Sequence, residues 1–262
     1  TCEIAIGDNL LSLPWVKDLV RVNKAFIVER ALGMREMLKA STRLSDYMHF
    51  AIKEKKENIW IAQREGRAKD SDDRTQKGIL QMMSMGGEGS IAERLKQLHL
   101  VPLSISYEYD PCDFLKAREY QLKRDVEGWK KGPTDDLVSM QTGIFGYKGH
   151  VHYHAAPCLD EYLDTLDADL PKSELYNKVA AHIDHEIHAN YRLYPGNYVA
   201  LDLLEGTISH ADHYTPEDKG KFEKYVAGQL AKIDLPNKDE AYLRERILTM
   251  YANPVRNYLA VY

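Results

Sequence analysis

Between residues 58 and 70 the chain passes from an apolar run to a cluster of charge. Ile59, Trp60 and Ile61 favour an extended, buried strand. Gln63, Arg64, Glu65, Gly66 and Arg67 follow at once, with Lys69 and Asp70 close behind. Guanidinium groups present a fork of donors that fits phosphate or carboxylate. Glycine lets the backbone turn or approach a ligand closely. A glutamate beside arginines can orient them or accept from a substrate hydroxyl. Together these groups suit a phosphorylated polyol. A solvated turn with local ion pairs is the competing reading of the same residues. Two further segments bear on the choice. VNKAFIVER, residues 22–30, is a short apolar run that ends in Arg30, with Arg21 and Lys24 near it. LVPLSISY, residues 100–107, opens an apolar strand with Pro102, which has no N–H to give to a central ladder.

The elements that position these residues follow from periodicity. Short strands are expected over 3–6, 26–28, 58–62 and 100–107. Helices are expected over 13–22, 34–55 and from the capping box Ser90-Ile91-Ala92-Glu93 to about Leu98. Strand and helix alternate, the order of an α/β sheet covered by helices. In such sheets ligands bind beyond the carboxyl ends of the strands, and Arg64 to Lys69 sit at such an end. From Asp113 onward the pattern is helical, with HVHYH (150–154) as a half-exposed strand. Helices are expected over 172–192, 197–205, 216–232 and 238–251. The stripe Leu175, Val179, Ile183, Ile187 has clear helical spacing. The sheet domain is expected to span 1–159 and a helical C-terminal region 160–262.

The chain has 262 residues, 44% hydrophobic and 29% charged, with formal net charge −5. That balance argues against general nucleic-acid binding. Its three cysteines, Cys2, Cys112 and Cys158, lack CxxC spacing, which argues against a disulfide framework or a thiolate zinc site. No apolar run is long enough to cross a membrane, although a peripheral protein needs only a patch.

Taken in order, these segments resemble the glycerolipid acyltransferases, which acylate glycerol-3-phosphate and 1-acylglycerol-3-phosphate. Lys24 to Arg30 is similar to that family's second block, and Ala62 to Arg67 to the third, glutamate–glycine block. Val101 to Ile105 is similar to the fourth, proline block. Gly149 to His152, with Pro157, resembles the strand that often closes the domain. The likeness covers residues 1–159 and has the character of a bacterial, Bacteroidetes-type enzyme. It implies an α/β fold, with a mixed sheet flanked by helices and a mostly helical C-terminal region. It also implies transfer of a fatty acyl group from acyl-CoA or acyl-carrier protein to a glycerophosphate hydroxyl in phospholipid synthesis. No cofactor or metal is implied. Work at the cytoplasmic, inner face of the membrane is implied, as a peripheral protein. On this likeness Arg30, Arg67 and Lys69 would hold the phosphate. Glu65 and Gly66 would meet the glycerol part, and Phe26 and Pro102 would pack the walls. Arg64 and Arg67 depart from the family's usual residues in the third block, which leaves open which basic side chain meets the phosphate.

The family's first block, His-x4-Asp, supplies a histidine base oriented by an aspartate. Residues 1–21 hold no histidine, so the dyad is expected upstream of Thr1. The alternatives are a non-catalytic glycerophosphate- or lipid-binding relative and, behind it, a metal-dependent hydrolase. One formal match, His213 with Asp218, lies far downstream of the fourth block and is read as chance. His150, His152 and His154 share one strand face, and His182, His185 and His188 one helical arc. Both groups are read as polar faces rather than metal sites, since neither has HExxH order.

Overall fold

The computed structural model describes residues 2–7, 11, 14–29, 33–64, 68–132 and 134–262. More than half of the chain is helical, and the fold is α/β. The described strands divide between two separate sheets, one parallel and one antiparallel, instead of sharing a single mixed sheet. The chain packs into two compact units. One comprises 1–67, 74–102 and 156–184, the other 68–73, 103–155 and 185–262. The division expected between 159 and 160 falls inside the first of these.

The first unit opens with β1 (Cys2–Gly7), α1 (Pro14–Val22), β2 (Ala25–Val28), α2 (Met34–Lys53) and β3 (Asn58–Trp60). The sheet order is β2-β1-β3, and both pairings are parallel. Parallel neighbours need a crossover, which α1 and α2 supply. The register sets Glu3 beside Ile59 and Ala5 beside Phe26 on one face. The alternate residues Ile4, Ile27 and Trp60 are exposed on the other. Then come α3 (Lys77–Met83) and α4 (Ile91–Lys96), and later α7 (Asp160–Asp164) and α8 (Lys172–Ala189), the last as far as Asp184 in this unit. Ser90 and Glu93 form the expected capping box: the Glu93 N–H donates to Ser90 Oγ and the Ser90 N–H to Glu93 Oε2.

The core of this unit gathers Met48 from α2, Leu80 and Met83 from α3, Leu95 from α4, and Leu163, Leu175 and Val179 from α7 and α8. The helical stripe in α2 is thus partly kept. Leu44, Met48 and Ile52 turn inward, while Leu38 is exposed. Between α3 and α4 the backbone turns through Gly87 at φ +79°, where a Cβ would lie 2.5 Å from the His49 ring nitrogen Nε2. His49 itself is buried and bonded on both sides, to the carbonyls of Ser45 and Arg94.

The second unit holds β4 (Leu103–Tyr107) and β5 (Val151–Ala155), paired antiparallel with Ser104 opposite His154. Its helices are α5 (Asp113–Asp125), α6 (Asp135–Phe145), α9 (Pro195–Glu205), α10 (Pro216–Ala231) and α11 (Glu240–Leu259), with the end of α8. Val199, Leu201, Phe222, Val226, Leu243, Ile247 and Val255 make its core. Among the described residues, no helix is long and apolar enough to cross a membrane.

Candidate functional site

The strands that precede the two basic blocks belong to the parallel sheet. β2 and β3 flank β1 and run in the same direction, so both point their carboxyl ends toward one edge. The chain that leaves β2 there goes on to Glu29, and the chain that leaves β3 goes on to Ile61–Arg64. The opposite edge is closed by an ion pair, Lys24 Nζ to Glu57 Oε1 at 2.8 Å, just before β2 and β3 begin. Lys24 therefore belongs to the amino edge, away from the end of β2. At the carboxyl side, Glu29 pairs with Arg43 of α2 at 2.9 Å. The Gln76 N–H donates to the Gln63 carbonyl at 3.0 Å, which anchors the stem of the charged segment. Arg30, Glu65, Gly66 and Arg67 lie outside the described residues.

Phe26 faces α2 from the middle of β2. Its ring lies 5.3 Å from that of Tyr47, centroid to centroid, and it packs on the core of the first unit. Beside it is a buried charge. Glu3 is almost fully covered and accepts from Tyr47 Oη at 2.6 Å and from the Lys55 ammonium. Burial pushes the Glu3 carboxyl up, but the hydrogen bonds from Lys55 and Tyr47 outweigh it and leave the group below its ordinary value. The bond to Glu3 raises Lys55 correspondingly. Phe26 thus stands on the same sheet face as a paired carboxylate.

Pro102 is buried at the entry to β4, where a missing N–H costs nothing. Its carbonyl accepts from the Ala156 N–H at 2.9 Å. Lys69 belongs to the second unit. Its ammonium is bonded to Glu119 of α5, which also meets Lys123 at 3.0 Å and Lys131 at 3.5 Å. Burial would raise Glu119, and its lysine partners, led by Lys69, hold it below the carboxylate range. Burial, with Lys123 beside it, pushes the Lys69 amine down. The residues after Lys69 are held in the same unit. Asn253 Nδ2 donates to the Asp70 carbonyl at 2.8 Å, and Tyr191 Oη to Asp73 Oδ2 at 2.7 Å.

The histidine clusters dissolve into separate local contacts. His150 sits in the turn before β5, with Nδ1 at 2.7 Å from Glu108 Oε2. His182 stacks on Tyr162, with ring centroids 3.7 Å apart. His188 is buried, and its Nε2 donates to the Asp73 carbonyl at 2.6 Å. The pair His213 and Asp218 is not a dyad. Asp218 caps α10 by accepting from Thr215 N and Oγ1, and His213 stacks on Tyr198.

One grouping had no signal in the sequence. His99, Cys158 and Asp160 bring a ring nitrogen, a sulfur and a carboxylate oxygen within 4.8 Å of one another. His99 follows α4 and the other two precede or begin α7, so a gap of about sixty residues hides the set from any spacing rule. A buried carboxylate lies elsewhere, in the second unit. Asp113 accepts from Tyr225 Oη at 2.7 Å, from Tyr251 Oη at 2.8 Å and from the Gln229 amide. Comparison with protein-family models, curated proteins and solved structures finds no match to the chain.

Proposed function

We propose that the protein is an acyltransferase of phospholipid synthesis. It moves a fatty acyl group from an acyl thioester, acyl-CoA or acyl-carrier protein, to a hydroxyl of glycerol-3-phosphate or 1-acylglycerol-3-phosphate. The reading rests on the resemblance of the three sequence blocks. The observation that best supports it is the parallel order β2-β1-β3, which points the carboxyl ends of β2 and β3, the strands that precede Arg30 and Glu65 to Arg67 in the sequence, toward the same edge. That is the edge where open α/β sheets take their ligands.

In this chemistry the acceptor hydroxyl gives its proton to a base, and its oxygen attacks the thioester carbonyl. The tetrahedral intermediate then expels the thiolate, which takes a proton, leaving an ester. The chain's part is to bind and orient the acceptor. Arg30 and Arg67 would grip the phosphate, and Glu65 would accept from the glycerol. Lys69 is committed to Glu119, so the phosphate falls first to the two arginines. No histidine of this chain is assigned as the base. A product soluble in the bilayer places the work at the inner membrane face, by peripheral contact.

The direct test is calorimetric titration of the chain with glycerol-3-phosphate, wild type against Arg30→Ala. A charged hydrogen bond is worth about 1.5–3 kcal/mol, so the variant should bind roughly 10- to 100-fold more weakly. The far-ultraviolet circular dichroism should not change. Equal affinity would remove Arg30 from the site. No binding of glycerol-3-phosphate by either protein, with none of 1-acylglycerol-3-phosphate in the same titration, would remove the glycerophosphate reading.

A further inference from the structure

We propose that His99, Cys158 and Asp160 form a zinc site, with three protein donors and a fourth position open to water or another ligand. The donor set is a borderline-soft mixture of imidazole, thiolate and carboxylate, which selects zinc over magnesium or calcium. The inference stands apart from the acyltransferase reading and does not depend on it.

The site is built from two stretches that the backbone holds together. The Leu159 N–H donates to the Leu100 carbonyl at 2.8 Å, so the residue after His99 is tied to the residue between Cys158 and Asp160. His99 is fixed in the left-handed region at φ +48°, a conformation uncommon for a residue with a Cβ. Its Nδ1 lies 2.6 Å from Asp160 Oδ2. The other carboxylate oxygen, Asp160 Oδ1, is buried and has no hydrogen-bond partner. Buried polar atoms are nearly always satisfied, and a cation among the three donors would satisfy this one.

His99 also borders an open hollow of ≈ 630 Å³ lined by Lys53, Glu93 and Lys96, which Cys158 and Asp160 do not line. The His99 side chain is two-thirds exposed, so it is free to rotate as the donors close around a metal. Zinc–donor distances are about 2.0–2.3 Å, which requires the His99–Asp160 hydrogen bond to open and the ion to take its place. Binding deprotonates the Cys158 thiol. His99 coordinates through Nδ1. The thiol proton therefore leaves as zinc binds, and the loop after α4 becomes clamped to the start of α7.

The test uses Co²⁺ and Zn²⁺ as probes on the whole chain. Cobalt should bind at one equivalent and give the near-ultraviolet charge-transfer band of a cobalt–thiolate bond. Cys158→Ser should abolish that band, and Cys112→Ser should leave it intact. His99→Gln, a surface change with little risk to folding, should weaken zinc at least tenfold in competition with a chromophoric chelator. Titrations in buffers of different ionisation enthalpy should report at least the one proton released by the thiol. No thiolate band in the wild type would overturn the proposal, and so would a band that survives Cys158→Ser or zinc affinity unchanged in His99→Gln.

Discussion

Asp113 is the residue whose surroundings most change its chemistry. Burial pushes its carboxyl up, the hydroxyls of Tyr225 and Tyr251 pull it back, and it settles at about 6 against an ordinary 3.8. A raised carboxyl binds its proton more tightly folded than unfolded. Its contribution to stability is therefore full below pH 4 and is lost as pH rises through 6, a change on the order of 3 kcal/mol. Asp113→Asn should remove that dependence. Urea midpoints of wild type and variant should diverge between pH 4 and 6, with the wild type losing stability relative to the variant as pH rises. Parallel curves would mean that Asp113 is ionised throughout. Nothing in DPCDF announces this group. Its partners come from residues more than a hundred positions away, and sequence spacing carries no such information. The same is true of Glu119, which takes Lys69, and of the distant pairing of His99 with Asp160. What the sequence did show at this scale was local: the Ser90–Glu93 box, and the chance character of His213 and Asp218.

Elements were more legible than their partners. β1, β2 and β5 lie within a residue or two of where alternation and apolar runs put them. β3 ends at Trp60, short of the expected 62, and β4 starts at Leu103, after Pro102 instead of before it. Proline explains the second difference, since it leaves the strand's first bond unmade. The first reflects pairing: the register with β1 reaches only to Trp60. That the strands form two sheets was not legible, because strand partners are chosen through tertiary packing. The short helix α4 gives a test at this scale. Ser90→Ala removes an acceptor for the Glu93 N–H and should cost about 1 kcal/mol, read as a lower urea midpoint, with Ser90→Asp restoring it. No loss in Ser90→Ala would mean that packing of Leu95 alone holds the helix.

For the molecule as a whole, each compact unit has its own apolar core. The chain crosses from one to the other near 67, 73, 102, 155 and 184. A reading that moves along the sequence draws one boundary, as at 159/160. Interleaved units require contacts that only the folded chain displays. The parallel sheet of the first unit also leaves Ile4, Ile27 and Trp60 exposed, whereas sheets of this type are ordinarily covered on both faces. The functional proposal draws on this unit, through the common edge of β2 and β3 and the glutamate–glycine segment between Gln63 and Ala68. Glu65→Ala should lower turnover of the active enzyme at saturating acceptor. Full activity would return the segment to a solvated turn.

The most direct measurement is thiol release from an acyl thioester, with glycerol-3-phosphate or 1-acylglycerol-3-phosphate as acceptor. It is made on the protein in its native, full-length form, with both acyl-CoA and acyl-carrier protein donors supplied. The proposal predicts thiol release that depends on the acceptor. No acceptor-dependent release with either donor would contradict it.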